Sequence, residues 1–146
     1  MDPNIAGTPG FAIGRARHLM QTELKNRLTK LGLNLSPEGA TVLLLVAGVS
    51  EPIRVSDLAR LAIRDSTTLK RQIDSLVKLD YVVQEKDRSD GRVVLVSMTA
   101  LGKEAVVKIV PMLEELQAKA LDGFSEVEHN QLVDLLQRIQ RNLLDG

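Results

Sequence analysis

The sequence predicts a mainly α-helical chain with one small β-hairpin, and three observations carry the prediction. Apolar residues recur at helical spacing through most of the 146 residues. The period switches once, between Tyr81 and Met98, where β-branched residues flank a charged loop containing Gly91. Ser, Thr or Asp residues stand just ahead of the apolar stripes, where helix caps belong. With 44% hydrophobic and 26% charged side chains, the chain suits one globular domain, or one module with an oligomerisation element.

Met1 to Gly10, rich in Pro and Gly, reads as a flexible arm. A first long helix runs from Phe11 to Leu31 on the stripe Phe11, Ala16, Met20, Leu24, Leu28 and Leu31, and Gly32 stops it. Ser36 and Pro37 open a second helix, Glu38 to about Ala47, so apolar all round that it must be buried. Ser56 caps a short third helix to about Ile63, with Leu58, Leu61 and Ala62 inward, and Arg64 and Asp65 make a turn. The fourth helix, about Thr67 to Leu79, takes Asp65 or Ser66 as its cap and buries Leu69, Ile73 and Leu76. Its outer face carries Thr67, Thr68, Lys70, Arg71, Asp74 and Lys78, with the donors crowded toward its start. Tyr81 to Glu85 and Val93 to Met98 form the hairpin, whose loop Asp87 to Arg92 projects its two Arg residues outward. Thr99 caps a fifth helix, Ala100 to about Leu121, which Pro111 kinks or splits. Ser125 and Glu128 form a capping box that opens a last helix to about Leu144, striped with Leu132, Leu135, Leu136, Ile139 and Leu143.

Composition excludes several functions. The formal net charge is zero, so any electrostatic footprint lies in the distribution of charge. Residues 54 to 92 hold nine basic and seven acidic side chains, residues 103 to 146 five and eight, a modest polarity that solvated helix faces also produce. There is no cysteine, which removes disulfides and thiol redox sensing. Phe11, Tyr81 and Phe124 are the only aromatic residues, too few for the stacking platforms that bind single strands. His18 and His129 stand apart from any set of ligand-spaced partners, so no metal and no cofactor is expected. No glycine-rich phosphate loop and no nucleophile with a paired His is present, which argues against an enzyme. Without a membrane-length apolar run or a signal-peptide pattern, a cytoplasmic location is the expectation.

Short helix, turn, exposed polar helix and charged hairpin follow one another in the order of a winged helix-turn-helix. The major groove of B-DNA admits one helix, and Thr, Lys and Arg at the start of that helix reach base edges or phosphates. Ser66, Thr67, Thr68, Lys70 and Arg71 on the fourth helix are therefore the candidate DNA contacts, with Arg88 and Arg92 on the wing for the minor groove or the phosphates. The alternative for all of them is an ordinary solvated surface. The stripes of the first and last helices need a covering surface, which a second copy of the chain would supply.

The run Asp65-Ser66-Thr67-Thr68-Leu69-Lys70-Arg71-Gln72-Ile73-Asp74, continuing to Val83, resembles the recognition helix and following strand of the MarR family of transcriptional regulators. The wing Asp87-Arg88-Ser89-Asp90-Gly91-Arg92 and the downstream Met98-Thr99-Ala100-Leu101-Gly102 are similar to the family's wing and its entry to the next helix. The segment Ser125 to Leu136 resembles the start of the family's last helix, so the resemblance covers most of the chain from Phe11 onward. It implies a single domain over 11–146, with dimerisation helices at 11–35 and 100–146 around a DNA-binding lobe at 36–99. It further implies a homodimer whose terminal helices interleave, on an operator with half-sites about 10 bp apart. By the same resemblance the protein is a repressor relieved by a small ligand that binds between the two regions; the chain does not identify that ligand.

Two positions depart from the family pattern. Asp80 stands where Gly is common between recognition helix and strand, and Asp tolerates left-handed geometry better than most residues. Ser89 stands where the wing often has Arg, with Arg88 one place earlier, which leaves open which Arg enters the minor groove, since Arg92 has Asp90 and Asp87 to pair with. A second function class, a winged-helix module that holds partner proteins and has little DNA affinity, is set against this reading by the clustered cations.

Overall fold

The structure, a computed structural model, describes residues 4–49, 52–62 and 65–144. In chain order it contains a 3-10 turn (Ile5–Gly7), α1 (Pro9–Lys30), α2 (Pro37–Ala47), β1 (Ile53–Arg54), α3 (Val55–Ala62), α4 (Ser66–Lys78), β2 (Val82–Lys86), β3 (Val94–Met98), α5 (Ala100–Ala120) and α6 (Glu126–Leu144). Two compact units, residues 1–113 and 114–146, divide inside α5.

In the first unit, α1 begins earlier than the expected Phe11. The Thr8 hydroxyl accepts the Phe11 N–H at 3.4 Å, and Pro9 suits the first turn because it has no N–H to leave unsatisfied. The preceding turn is likewise capped, by Asn4, while Met1 to Pro3 of the expected arm lie outside the described residues. Gly32, at φ 75°, closes α1 by donating to Thr29, and Leu33 donates to Leu28. Only Leu28 of the α1 stripe is buried; Phe11, Ile13, Leu19 and Met20 face solvent.

α2 is the buried helix that its composition demands, with Ser36 accepting the Gly39 N–H at 3.0 Å. Val42 and Leu43 pack with Leu58 of α3 and with Leu69, Ile73 and Leu76 of α4. Each fully buried Leu in this cluster contributes about 2 kcal/mol relative to an exposed one.

α3 starts ahead of the expected cap Ser56, because β1 passes directly into it at Val55. Its inward stripe is accordingly Val55, Leu58, Ala59 and Ala62, while Leu61, expected inward, is 56% exposed. The predicted end at Ile63 and the turn residue Arg64 lie outside the described residues.

The hairpin is as expected, but it belongs to a three-stranded antiparallel sheet of order β1-β3-β2. Ile53 pairs with Val96 and Arg54 with Leu95, and Val82 to Lys86 pair with Met98 to Val94. Ile53, Val82 and Val96 bury one face against the helices.

Thr99 caps α5, its hydroxyl accepting the Gly102 N–H at 3.0 Å. Pro111 does not split the helix. The carbonyl it leaves unbonded belongs to Val107, which is 73% exposed, so water can satisfy it.

In the second unit, Ser125 and Glu128 form the expected capping box reciprocally. The Ser125 N–H donates to Glu128 Oε1 at 2.9 Å and the Glu128 N–H to Ser125 Oγ at 3.1 Å. α6 buries none of its residues, and Leu132, Leu135, Ile139 and Leu143 remain exposed.

Candidate nucleic-acid interface

The interface is built on the start of α4. Asp65 is the cap that the sequence left open between Asp65 and Ser66: its Oδ1 accepts the Thr68 N–H at 2.8 Å and its Oδ2 the Thr68 hydroxyl at 2.9 Å. These bonds hold the Asp65 carboxylate below its ordinary pKa of 3.8. Two consequences follow for ligand binding. The carboxylate partly neutralises the positive end of the helix, so attraction for phosphate falls to side chains. Thr68, half-buried with its hydroxyl engaged, is less available than its neighbours.

Ser66, Thr67, Lys70 and Arg71 are all exposed. With 3.6 residues per turn, Thr67, Lys70, Arg71, Asp74 and Lys78 fall on one stripe opposite the buried Leu69, Ile73 and Leu76. Asp74 interrupts its cations and lies 3.4 Å from Gln84 Nε2 of β2, which ties α4 to the wing.

The helix ends in a turn that fixes the wing's root. Asp80 adopts φ 65° and donates to Val77, while Tyr81 donates to Leu76, the pattern that usually calls for Gly. The Tyr81 carbonyl then accepts the Thr99 N–H at 3.1 Å, and the Asp80 carbonyl accepts the Thr99 hydroxyl at 2.6 Å. A side chain at Gly102 would run into the Tyr81 carbonyl oxygen, so α5 starts against this turn only because residue 102 has none.

In the wing tip, the two Asp residues shape the loop. Asp87 Oδ1 accepts both the N–H (2.9 Å) and the hydroxyl (2.8 Å) of Ser89. Those bonds, with a smaller contribution from the charge of Arg54, hold the Asp87 carboxylate below its ordinary 3.8. Asp90 Oδ1 accepts the Arg92 N–H at 3.0 Å and lies 3.5 Å from Arg92 Nε. Of the two pairings open to Arg92, the one with Asp90 is formed. Arg88 is exposed and makes no ion pair among the described residues.

Between α4 and the wing lies a cleft of about 420 Å³ whose polar lining is Arg54, Ser56, Ser66, Lys70, Gln84 and Arg92. The structure thus brings Ser66, Lys70 and Arg92 together, and places Arg71 and Arg88 on the exposed surface beyond the cleft lining. Arg54 is the residue that sequence reasoning passed over. Its signal was the alternation of Ile53, Arg54 and Val55, too short to read as a strand. Among the described residues no cluster of His or acidic side chains could hold a metal, and no helix is long and apolar enough to cross a membrane.

Residues 35–102 match the family model of the winged helix DNA-binding domain. The uncharacterized HTH-type transcriptional regulator YxaD of Bacillus subtilis is 33% identical over 94 residues, which cover 64% of this chain and 66% of YxaD. The crystal structure of a probable transcriptional regulator from Pseudomonas aeruginosa superimposes with a TM-score of 0.79 at 26% identity, covering 93% of this chain and 99% of that one. A mutant MarR from E. coli, complexed with operator DNA, shares the fold at a TM-score of 0.83 and 21% identity, over 95% of this chain and 99% of its own. The chain is a winged helix DNA-binding protein. Within that class its fold, from α1 through the wing to α6, is shared with the Pseudomonas aeruginosa regulator and with MarR.

Proposed function

We propose that the chain acts as a homodimeric, sequence-specific regulator on double-stranded DNA in the cytoplasm, repressing from a pseudo-palindromic operator until a small ligand relieves it. The observation that carries this reading is the cleft that Ser66 and Lys70 of α4 share with Arg92 of the wing, with Thr67, Arg71 and Arg88 exposed on the same two elements. The helix would read the major groove, Thr68 would hold its start in shape, and the wing would reach the flanking minor groove. Since Asp90 holds Arg92, Arg88 is the wing residue we assign to the minor groove.

Residues 36–99 would form the DNA-binding lobe and 11–35 and 100–146 the dimerisation helices. The exposed Phe11, Leu19 and Met20 of α1, Val107 and Val110 of α5 and Leu135 and Leu143 of α6 support this division, being apolar surface that a second copy would cover. A cavity of about 340 Å³ bounded by Val46, Val49, Pro52, Met98, Lys103 and Val106 suits a small amphipathic ligand, and a thermal-shift series with phenolic acids tests it.

Anisotropy with labelled DNA from just upstream of the coding region, against a scrambled duplex across a salt series, tests the central claim. A preference of about 10³ or more and a steep fall with salt are expected. Equal, weak binding to both duplexes would leave an operator elsewhere in the genome or a protein-binding winged-helix module, the latter then being the first to test.

A further inference from the structure

In a B-form duplex a major groove and the neighbouring minor groove are separated by one sugar-phosphate strand. A module that sets α4 in the first and the wing in the second must therefore cross that strand with whatever surface joins them. Here that surface is the cleft whose polar lining is Arg54, Ser56, Ser66, Lys70, Gln84 and Arg92, set among the apolar side chains of Val55, Ala59, Ile73, Val93 and Val94. Its cations come from separate elements, Arg54 from β1, Lys70 from α4 and Arg92 from the wing loop, and no carboxylate is among the lining residues. Asp90 offsets part of the charge of Arg92, and Arg54 also acts on Asp87, but neither carboxylate lines the cleft; the positive charge that remains there recruits counterions, which a strand of phosphates would release.

We infer that this cleft is a seat for the DNA backbone, and that Arg54 is a phosphate-binding residue of the interface. The inference rests on the DNA-binding reading above and adds to it a residue outside both the recognition helix and the wing tip. Arg54 is suited to the task by its place: the sheet buries Ile53, so the next side chain on β1 points outward and is exposed. Its planar fork matches the geometry of a phosphate. Arg92, tied to Asp90 at the lip of the same cleft, serves the strand, which leaves Arg88 free for the groove beyond it.

A phosphate contact carries no sequence information, so its loss must weaken binding to every duplex alike. Arg54→Gln, measured by anisotropy on the upstream duplex and on the scrambled one, is expected to weaken both by the same factor, roughly 5–10-fold at 0.1 M salt. It should also lower the slope of log affinity against log salt by about 0.9. Arg54→Lys, which keeps the charge, should restore most of the slope, and an unchanged melting temperature shows that the variants fold. Unchanged affinity and slope in Arg54→Gln, with a parent that binds DNA, would overturn the inference and leave the regulator reading intact. A parent that binds no duplex at all would overturn both. Inorganic phosphate at matched ionic strength should not displace the DNA. Displacement in the parent but not in Arg54→Gln would reassign the cleft to a free anion.

Discussion

Asp80 and Gly102 meet at the same turn and answer opposite demands. Asp80 holds a left-handed backbone that favours Gly, whereas Gly102 has helical geometry but no room for a side chain beside the Tyr81 carbonyl. Asp80→Gly should therefore relieve strain and raise stability by up to about 1 kcal/mol. Gly102→Ala should cost about 3 kcal/mol, because the obstacle is backbone and cannot rotate away. Chemical denaturation of the two variants separates them by sign, and a stabilised Gly102→Ala would show that α5 does not approach the turn so closely. The left-handed turn at Asp80 was legible in the sequence through the resemblance, since Asp80 stands where the family often carries Gly. The need for Gly102 was not: it depends on a carbonyl that only the fold brings near.

At the scale of elements, caps did most to fix the boundaries. Asp65, Asp87 and Glu128 each accept a backbone N–H together with a local hydroxyl, and each carboxylate is held below its ordinary value of 3.8, or 4.5 for Glu128. A depressed carboxylate contributes its full stability above the ordinary value and loses it as pH falls through the folded one. Melting temperature should thus hold down to about pH 5 and fall below pH 4.5, and Glu128→Gln should flatten part of that fall; a parallel decline in parent and variant would remove Glu128 from the account. The wing tip makes a separate prediction. Arg88→Ala should cut the preference for operator over scrambled DNA roughly tenfold, equivalent to one lost groove contact of about 1.4 kcal/mol. Arg92→Ala should instead weaken both duplexes alike. Periodicity and caps made α2, α4, the hairpin and α6 readable in advance. β1 was not, because alternation cannot show in a strand of that length, and Arg54 was passed over with it. The phase of α3 was misread for the same reason: its start is set by the strand before it and not by Ser56.

At the scale of the whole molecule, the apolar faces of α1 and α6 are the largest debt the single chain leaves unsettled. Leu135→Glu, at a position already 53% exposed, should leave helicity unchanged while shifting the protein to monomer in sedimentation and weakening operator binding more than tenfold. A dimer that survives Leu135→Glu would place the interface elsewhere. This surface was legible as stripes in the sequence, but a stripe at helical spacing does not say whether its own chain or another covers it. α2 and α6 show both answers. α2 lies inside its unit, whereas α6 has no buried residue.

Tyr81 closes the joint of α4, the wing and α5, and it is the chain's single tyrosine in a sequence without tryptophan. Its phenol is therefore the only ring in the protein that emits appreciably near 300 nm, and no indole masks it by energy transfer. Tyr81 is 8% exposed, so its emission and its resistance to quenching report on one place alone. The protein thus carries an unlabelled optical probe of whether that joint opens, readable in stopped flow while DNA or a ligand is added.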